Sequence, residues 1–239
     1  MTSQTDLENI KSLLVQTIDT PSKKVRIAAA QSLAFVLLSV MADEKQNEML
    51  TEASTREPKK KRPSAGVKPD DEDDGRASPA PGKVANMISF RLQFQEILRQ
   101  LSMNYARTAS RYIRSGVTLS YSIIFKTLGA HLASANYSAI LDHLLTNVAS
   151  HPLVGDDRFR ALEARRHIDY LLGHVLRRQL LTEPAKMMAI RTIIDALQKK
   201  PARKSSDSDA WPIEATVAAL SEVAGLIQDL GSAVSLKQV

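Results

Sequence analysis

The chain has 239 residues, 44% of them hydrophobic and 24% charged, enough to bury a core in one large domain or two small ones. It contains no cysteine, which excludes disulfides and thiolate metal sites, and its longest apolar stretch, LAFVLLSVMA from Leu33, is too short to span a bilayer. Aromatics are only 5% and glycines number nine, while Leu, Ala and Ser are plentiful, so helices are favoured over sheets.

The net charge of +6 is unevenly distributed. Residues 1–41 carry four basic and three acidic side chains, residues 42–84 nine and ten, residues 85–204 eighteen and eight, and the last 35 residues one and five. The positive excess therefore belongs to the middle of the chain, where it would attract an acidic protein segment, anionic lipid or nucleic acid.

In chain order, Leu7, Ile10, Leu13, Leu14 and Ile18 recur at three- and four-residue spacing and predict one amphipathic helix. Asp19-Thr20-Pro21-Ser22 breaks it. A second helix then carries Val25, Ala29, Val36 and Val40 as its stripe, with Pro21 in its first turn. Residues 1–42 thus predict an antiparallel helix pair. From 43 to 84 the periodicity disappears into Pro, Ser, Ala and mixed charge, which predicts a disordered linker. Helical patterning resumes with Ile88, Leu92, Ile97, Leu98 and Leu101, and further helices are predicted over 107–129, 136–149, 156–180, 184–199 and 212–230. Helical repeats thus occupy 85–200, a short linker 201–211, and a terminal helix 212–230. No strand-like alternation persists, and the predicted class is all-α.

The stretch DTPSKKVRIAAAQSLAFVL resembles a HEAT-repeat unit, in which an Asp/Pro turn precedes a helix opening Val-Arg-x-Ala-Ala. Here Pro21 would start the helix after the turn, Val25 lies on its stripe, Ala28 and Ala29 would admit close packing, and Asp19 would pair with Arg26. A longer match follows. Arg114-x-Gly116-Val117, Leu128-Gly129, Asn136-Tyr137, His143, Ser150-His151-Pro152, Arg165-Arg166 and Leu180-Leu181-x-Glu183 resemble, in order and spacing, the large HEAT-repeat proteins that assist the clathrin adaptor protein complex one at the trans-Golgi network and endosomes. Members of that family are far longer, so the chain resembles a fragment of one. The resemblance implies an α-solenoid of antiparallel helix pairs, a scaffold without enzymatic activity, and a cytoplasmic location peripheral to trans-Golgi and endosomal membranes. It also implies the adaptor complex and its accessory proteins as partners.

Catalytic motifs are absent from the sequence: it has no Gly-rich phosphate loop, no His-Glu-x-x-His and no Gly-x-Ser-x-Gly. Of five histidines, His167 and His174 are seven apart with Glu163 one turn earlier, a spacing a metal could use but one that reads more simply as packing on a helix. No cofactor is implied. Arg107, Arg111 and Arg114 would form a basic ridge if they share one helix, and Arg165, Arg166, Arg177 and Arg178 fall on another. Such rows would grip acidic peptides or phosphoinositide headgroups, giving peripheral contact with an anionic membrane. Aromatics for base stacking are sparse there, which disfavours nucleic acid. Lys59, Lys60, Lys61 and Arg62 satisfy a simple nuclear-import pattern, the basis of an alternative reading as a nuclear or nucleocytoplasmic HEAT-type binding module. Asp70 to Asp74 follow closely enough to neutralise the run, so it reads first as linker. Ser64 and Ser78 adjoin prolines and are candidate phosphorylation sites, and Trp211 reads as the start of a packed helix.

Overall fold

The computed structural model describes the backbone of residues 4–54, 81–155, 157–198 and 213–237, and the side chains of 5–39, 90–155, 157–198, 213 and 215–231. The described residues contain helices and no strand: α1 Gln4–Ile18, α2 Lys23–Ser54, α3 Pro81–Arg107, α4 Arg111–Ala135, α5 Tyr137–His143, α6 Pro152–Gly155, α7 Arg158–Asp169, α8 Glu183–Gln198 and α9 Ile213–Lys237. Two segments wind more widely, with π-type turns: Leu144–Ala149 continues α5, and Tyr170–Leu180 continues α7. Each ends on a bond reaching back five residues, Ser150 N–H to the Leu145 carbonyl at 3.1 Å and Leu181 N–H to the Leu176 carbonyl at 2.8 Å. Among the described residues no helix is long and apolar enough to cross a membrane.

The chain forms two compact units, Met1–Val36 with Leu98–Val239, and Leu37–Ile97. In the second, helix occupies both ends of the expected linker: α2 runs on to Ser54 and α3 starts at Pro81. The middle of that linker, including Lys59 to Arg62, Ser64 and Ser78, lies outside the described residues. Phe90 and Phe94 stack at 6.2 Å, one helical turn apart on α3.

In the first unit, α1 buries Ile18 but leaves Ile10 and Leu13 exposed, so the inner face is Leu7, Leu14, Val15 and Ile18 rather than the full predicted stripe. The α2 stripe also differs from expectation. Ala29, Ala30, Leu33 and Ala34 are buried, whereas Val25 and Ala28 face solvent and Val36 is half-buried; the Val40 side chain lies outside the described residues. Small residues at adjacent positions carry this face; by the 100° progression Ala28 falls on the opposite side and Val25 at the edge. Helix α2 begins at Lys23, two residues after Pro21, because Thr20 Oγ1 accepts the Ser22 N–H at 3.2 Å and holds the turn open. Arg26 donates to the Thr20 carbonyl at 2.8 Å, and Asp19 accepts from the Ser110 hydroxyl at 2.5 Å, so the expected Asp19–Arg26 pair is replaced by these two contacts.

Helix α4 is central. Ser110 caps it, accepting from Tyr112 N–H, and a kink at Gly129 (φ 75°, ψ 174°) divides it. That backbone angle disfavours any side chain, which explains a glycine after Leu128. Ser120 Oγ donates to the Ala30 carbonyl at 3.0 Å, so α4 approaches the α2 backbone closely enough for a hydroxyl to bridge them. A buried chain of hydrogen bonds ties α3, α4 and α5. The Tyr121 hydroxyl donates to the Leu98 carbonyl at 3.0 Å and lies 2.9 Å from His143 Nε2, while Asn147 Nδ2 lies 3.1 Å from His143 Nδ1. Tyr121 has one proton and gives it to Leu98, so His143 Nε2 must donate to Tyr121 and Nδ1 must accept from Asn147. The imidazole is neutral, and burial pushes its pKa down to about 4.

Candidate partner-binding groove

The predicted arginine ridge does not form. Arg107 ends α3 and Arg111 opens α4, with a turn at 108–110 between them. Arg114 points inward at 5% exposure. Its Nε and Nη2 both reach Glu163 Oε2, at 2.8 and 2.5 Å, and its Nη1 donates to the Thr108 and Ala109 carbonyls. Arg114 therefore clamps the α3–α4 turn to α7 and is a packing residue. Arg111 and Arg26 lie on the Tyr112 ring, at 5.1 and 5.2 Å from its centroid.

The histidine spacing resolves in the same way. Glu163 is engaged by Arg114, His167 Nδ1 meets the Tyr105 hydroxyl at 2.8 Å, and exposed His174 stacks on Tyr170. Among the described residues no trio of His, Asp and Glu is placed to hold a metal.

The second set of arginines does lie on one continuous helix, 158–180, but splits by orientation. Arg165, Arg166 and Arg178 are exposed. Arg177 turns inward to α9, with Nε 3.2 Å from Asp229 and Nη1 3.5 Å from Glu222, and Lys186 of α8 stands 3.8 Å from the same Asp229 oxygen. Glu222 falls in the buried stripe of α9, Ala215, Ala218, Ala219, Glu222 and Leu226, at 5% exposure. Burial, set against Arg177, raises its pKa to about 7. The long contacts leave Glu222 Oε1 and Arg177 Nε without hydrogen bonds, as is the Tyr137 hydroxyl. Sequence reasoning passed over Glu222; a lone acid on an apolar stripe, VAALSEVAGL, is the signal that could have found it.

Between α7 and α9 runs an open groove of about 310 Å3. Its least exposed lining residues are Ala149, Ala161, Ala218 and Ile168, three of them alanines whose small side chains leave a trough. Leu162, Ile213 and Val217 form apolar walls, and Arg158 and Arg165 stand among the lining residues, with no acidic side chain among them. Its apolar residues are exposed, Ile213 at 78% with Leu162 and Val217 also open to solvent, and the same two helices expose Phe159 and Leu220 as well. Arg158 sits in the first turn of α7, capped by Asp157, where the positive end of the helix makes a cation costly to the fold. A larger cavity of about 590 Å3, between the end of α4, α5 and α8, is lined by Ala130, Ser134, Tyr137, Met188 and His131. Size favours it, but without a charged rim it offers less chemistry to select a partner.

The chain matches no protein-family model, and no solved structure matches it at a significant level. Trp211 lies outside the described residues.

Proposed function

We propose that this chain is a non-enzymatic, HEAT-type α-solenoid segment that binds protein partners in clathrin-adaptor-dependent traffic between endosomes and the trans-Golgi network. The observation that carries protein binding is the arginine-flanked apolar groove between α7 and α9, a surface that folding alone does not require. Stacked helix pairs expose long faces of this kind. Support for the traffic setting comes from the residue pattern between Arg114 and Glu183. Several of its members are fixed points of this fold: Arg114 on Glu163, Gly116 beside Ile18, Gly129 at the kink and His143 in the buried network. By that resemblance the partners are the adaptor complex and its accessory proteins, met in the cytoplasm near anionic membrane.

Proximity labelling with the full chain in cells tests the proposal. Enrichment of adaptor subunits over an unrelated helical control is the expected result. Enrichment of importins and chromatin proteins instead would favour the nuclear reading and overturn this one.

A further inference from the structure

Arg158, Leu162 and Arg165 lie on one row of α7, at i, i+4 and i+7. At 1.5 Å per residue the two guanidinium-bearing positions are separated by about 10 Å along the axis, with the leucine between them. Opposite them, α9 presents Ile213 and Val217, one turn apart. No ion pair among the described residues involves Arg158 or Arg165; burial raises the pKa of Asp169, one turn past Arg165, and the Arg165 charge only partly opposes that rise. Asp157, beside Arg158, caps the helix and engages Arg160 at 3.5 Å. Two cations about two turns apart, set along an apolar trough, therefore remain available.

We infer that the α7–α9 groove takes an amphipathic helix of a partner protein that presents acidic side chains seven residues apart with bulky aliphatic side chains between them. The match is geometric and electrostatic. Acids at i and i+7 on such a helix repeat the Arg158–Arg165 spacing, and aliphatic side chains at i+3 and i+4 drop into a trough whose alanine lining leaves room. A volume of about 310 Å3 suits a few aliphatic side chains rather than a whole small ligand. A lipid headgroup is a poorer fit, because the cations stand along a recess instead of converging on one point. This inference rests on the protein-binding reading above and identifies its site.

The test uses the full chain and a fluorescent, helix-forming peptide with Glu at i and i+7 and Leu at i+3 and i+4, measured by anisotropy. Saturable binding in the micromolar range is expected, weakening as salt rises. A peptide with Lys in place of both Glu should bind at least tenfold more weakly. Arg158→Glu with Arg165→Glu should reduce binding at least tenfold while the helical circular dichroism stays unchanged, and Val217→Asp should do so as well. As a check on folding, the milder pair Arg158→Gln with Arg165→Gln should weaken binding without lowering the melting temperature, since relief of the Arg158 charge at the start of α7 can only favour the helix. Equal binding of the Lys peptide, or full binding by the folded double variants, overturns the assignment. So does capture by phosphatidylserine vesicles without capture of the peptide, or a self-association that the arginine variants abolish. The two levels separate cleanly. Adaptor labelling that survives Arg158→Glu with Arg165→Glu removes this groove but leaves the traffic role, whereas peptide binding without any adaptor labelling does the reverse.

Discussion

Gly116 of α4 lies so close to Ile18 of α1 that a methyl group on Gly116 would stand 2.2 Å from Ile18 Cγ2. Ile18 is fully buried, so it has no free space to yield into. Glycine inside a helix costs roughly 1 kcal/mol of propensity relative to alanine. Its presence is explained by the approach of the two helices. Gly116→Ala should therefore destabilise the fold by about 1–3 kcal/mol in urea unfolding, despite the better helix propensity. Ile18→Ala should partly restore Gly116→Ala, giving a non-additive double-mutant cycle. Simple additivity would show that the two residues do not meet.

Arg114 and Arg166 both looked like surface cations, and they should respond oppositely. Truncating Arg114 strands the Glu163 carboxylate and two turn carbonyls, at a cost on the order of 3 kcal/mol. Arg166→Ala, on an exposed face, should stay within about 0.5 kcal/mol. Thermal melts of the two variants suffice to decide. Equal, small effects would return Arg114 to the surface.

The contrast shows what the sequence makes legible. Helix class and most helix positions follow from periodicity, because burial repeats with the turn: of the residues in the α3 pattern, Ile97, Leu98 and Leu101 are buried, whereas Leu92 is exposed and the Ile88 side chain lies outside the described residues. The arginine ridge failed because residue spacing reveals a shared face only if no break intervenes. Ser110, a capping residue placed just before Arg111, was the available warning. Which side of α1 faces inward was only half legible, since Ile10 and Leu13 are as apolar as the buried Ile18. The groove was not legible at all. It is made by residues more than forty positions apart whose proximity depends on how α9 docks.

Arg177 and Arg178 are neighbours that should separate just as sharply. A side chain at Gly225 would fall 1.3 Å from Arg177 Nη1, so the guanidinium lies directly on the α9 backbone between Glu222 and Asp229. Arg177→Glu would place a third acid against that pair and should loosen α9, seen as faster amide exchange over residues 215–226. Arg178→Glu should leave exchange there unchanged. Equal protection in both variants would mean that apolar contacts alone hold α9.

The pH dependence of stability should carry two opposed contributions. Glu222 titrates near 7 in the folded chain against an ordinary 4.5, so its contribution is fully present below about 4.5 and is lost as pH rises through about 7. His143 titrates near 4 against an ordinary 6.5, so its contribution is full above about 6.5 and is lost as pH falls through about 4. Each shift corresponds to roughly 3 kcal/mol at 1.36 kcal/mol per pKa unit, and over about pH 4.5–6.5 their slopes nearly cancel. Removing either group should expose the other. The stability of wild type relative to Glu222→Gln should fall as pH rises from 4.5 to 7, because the glutamine stays neutral where the buried glutamate must ionise. The stability of wild type relative to His143→Gln should instead rise between pH 4 and 6.5, because only the histidine gains by unfolding and taking a proton. Urea unfolding at pH 4.5, 5.5, 6.5 and 7.5 measures both differences. A difference that does not change with pH would show that the group in question titrates as it does in an unfolded chain, and for Glu222 it would mean that the α9 stripe is open to water.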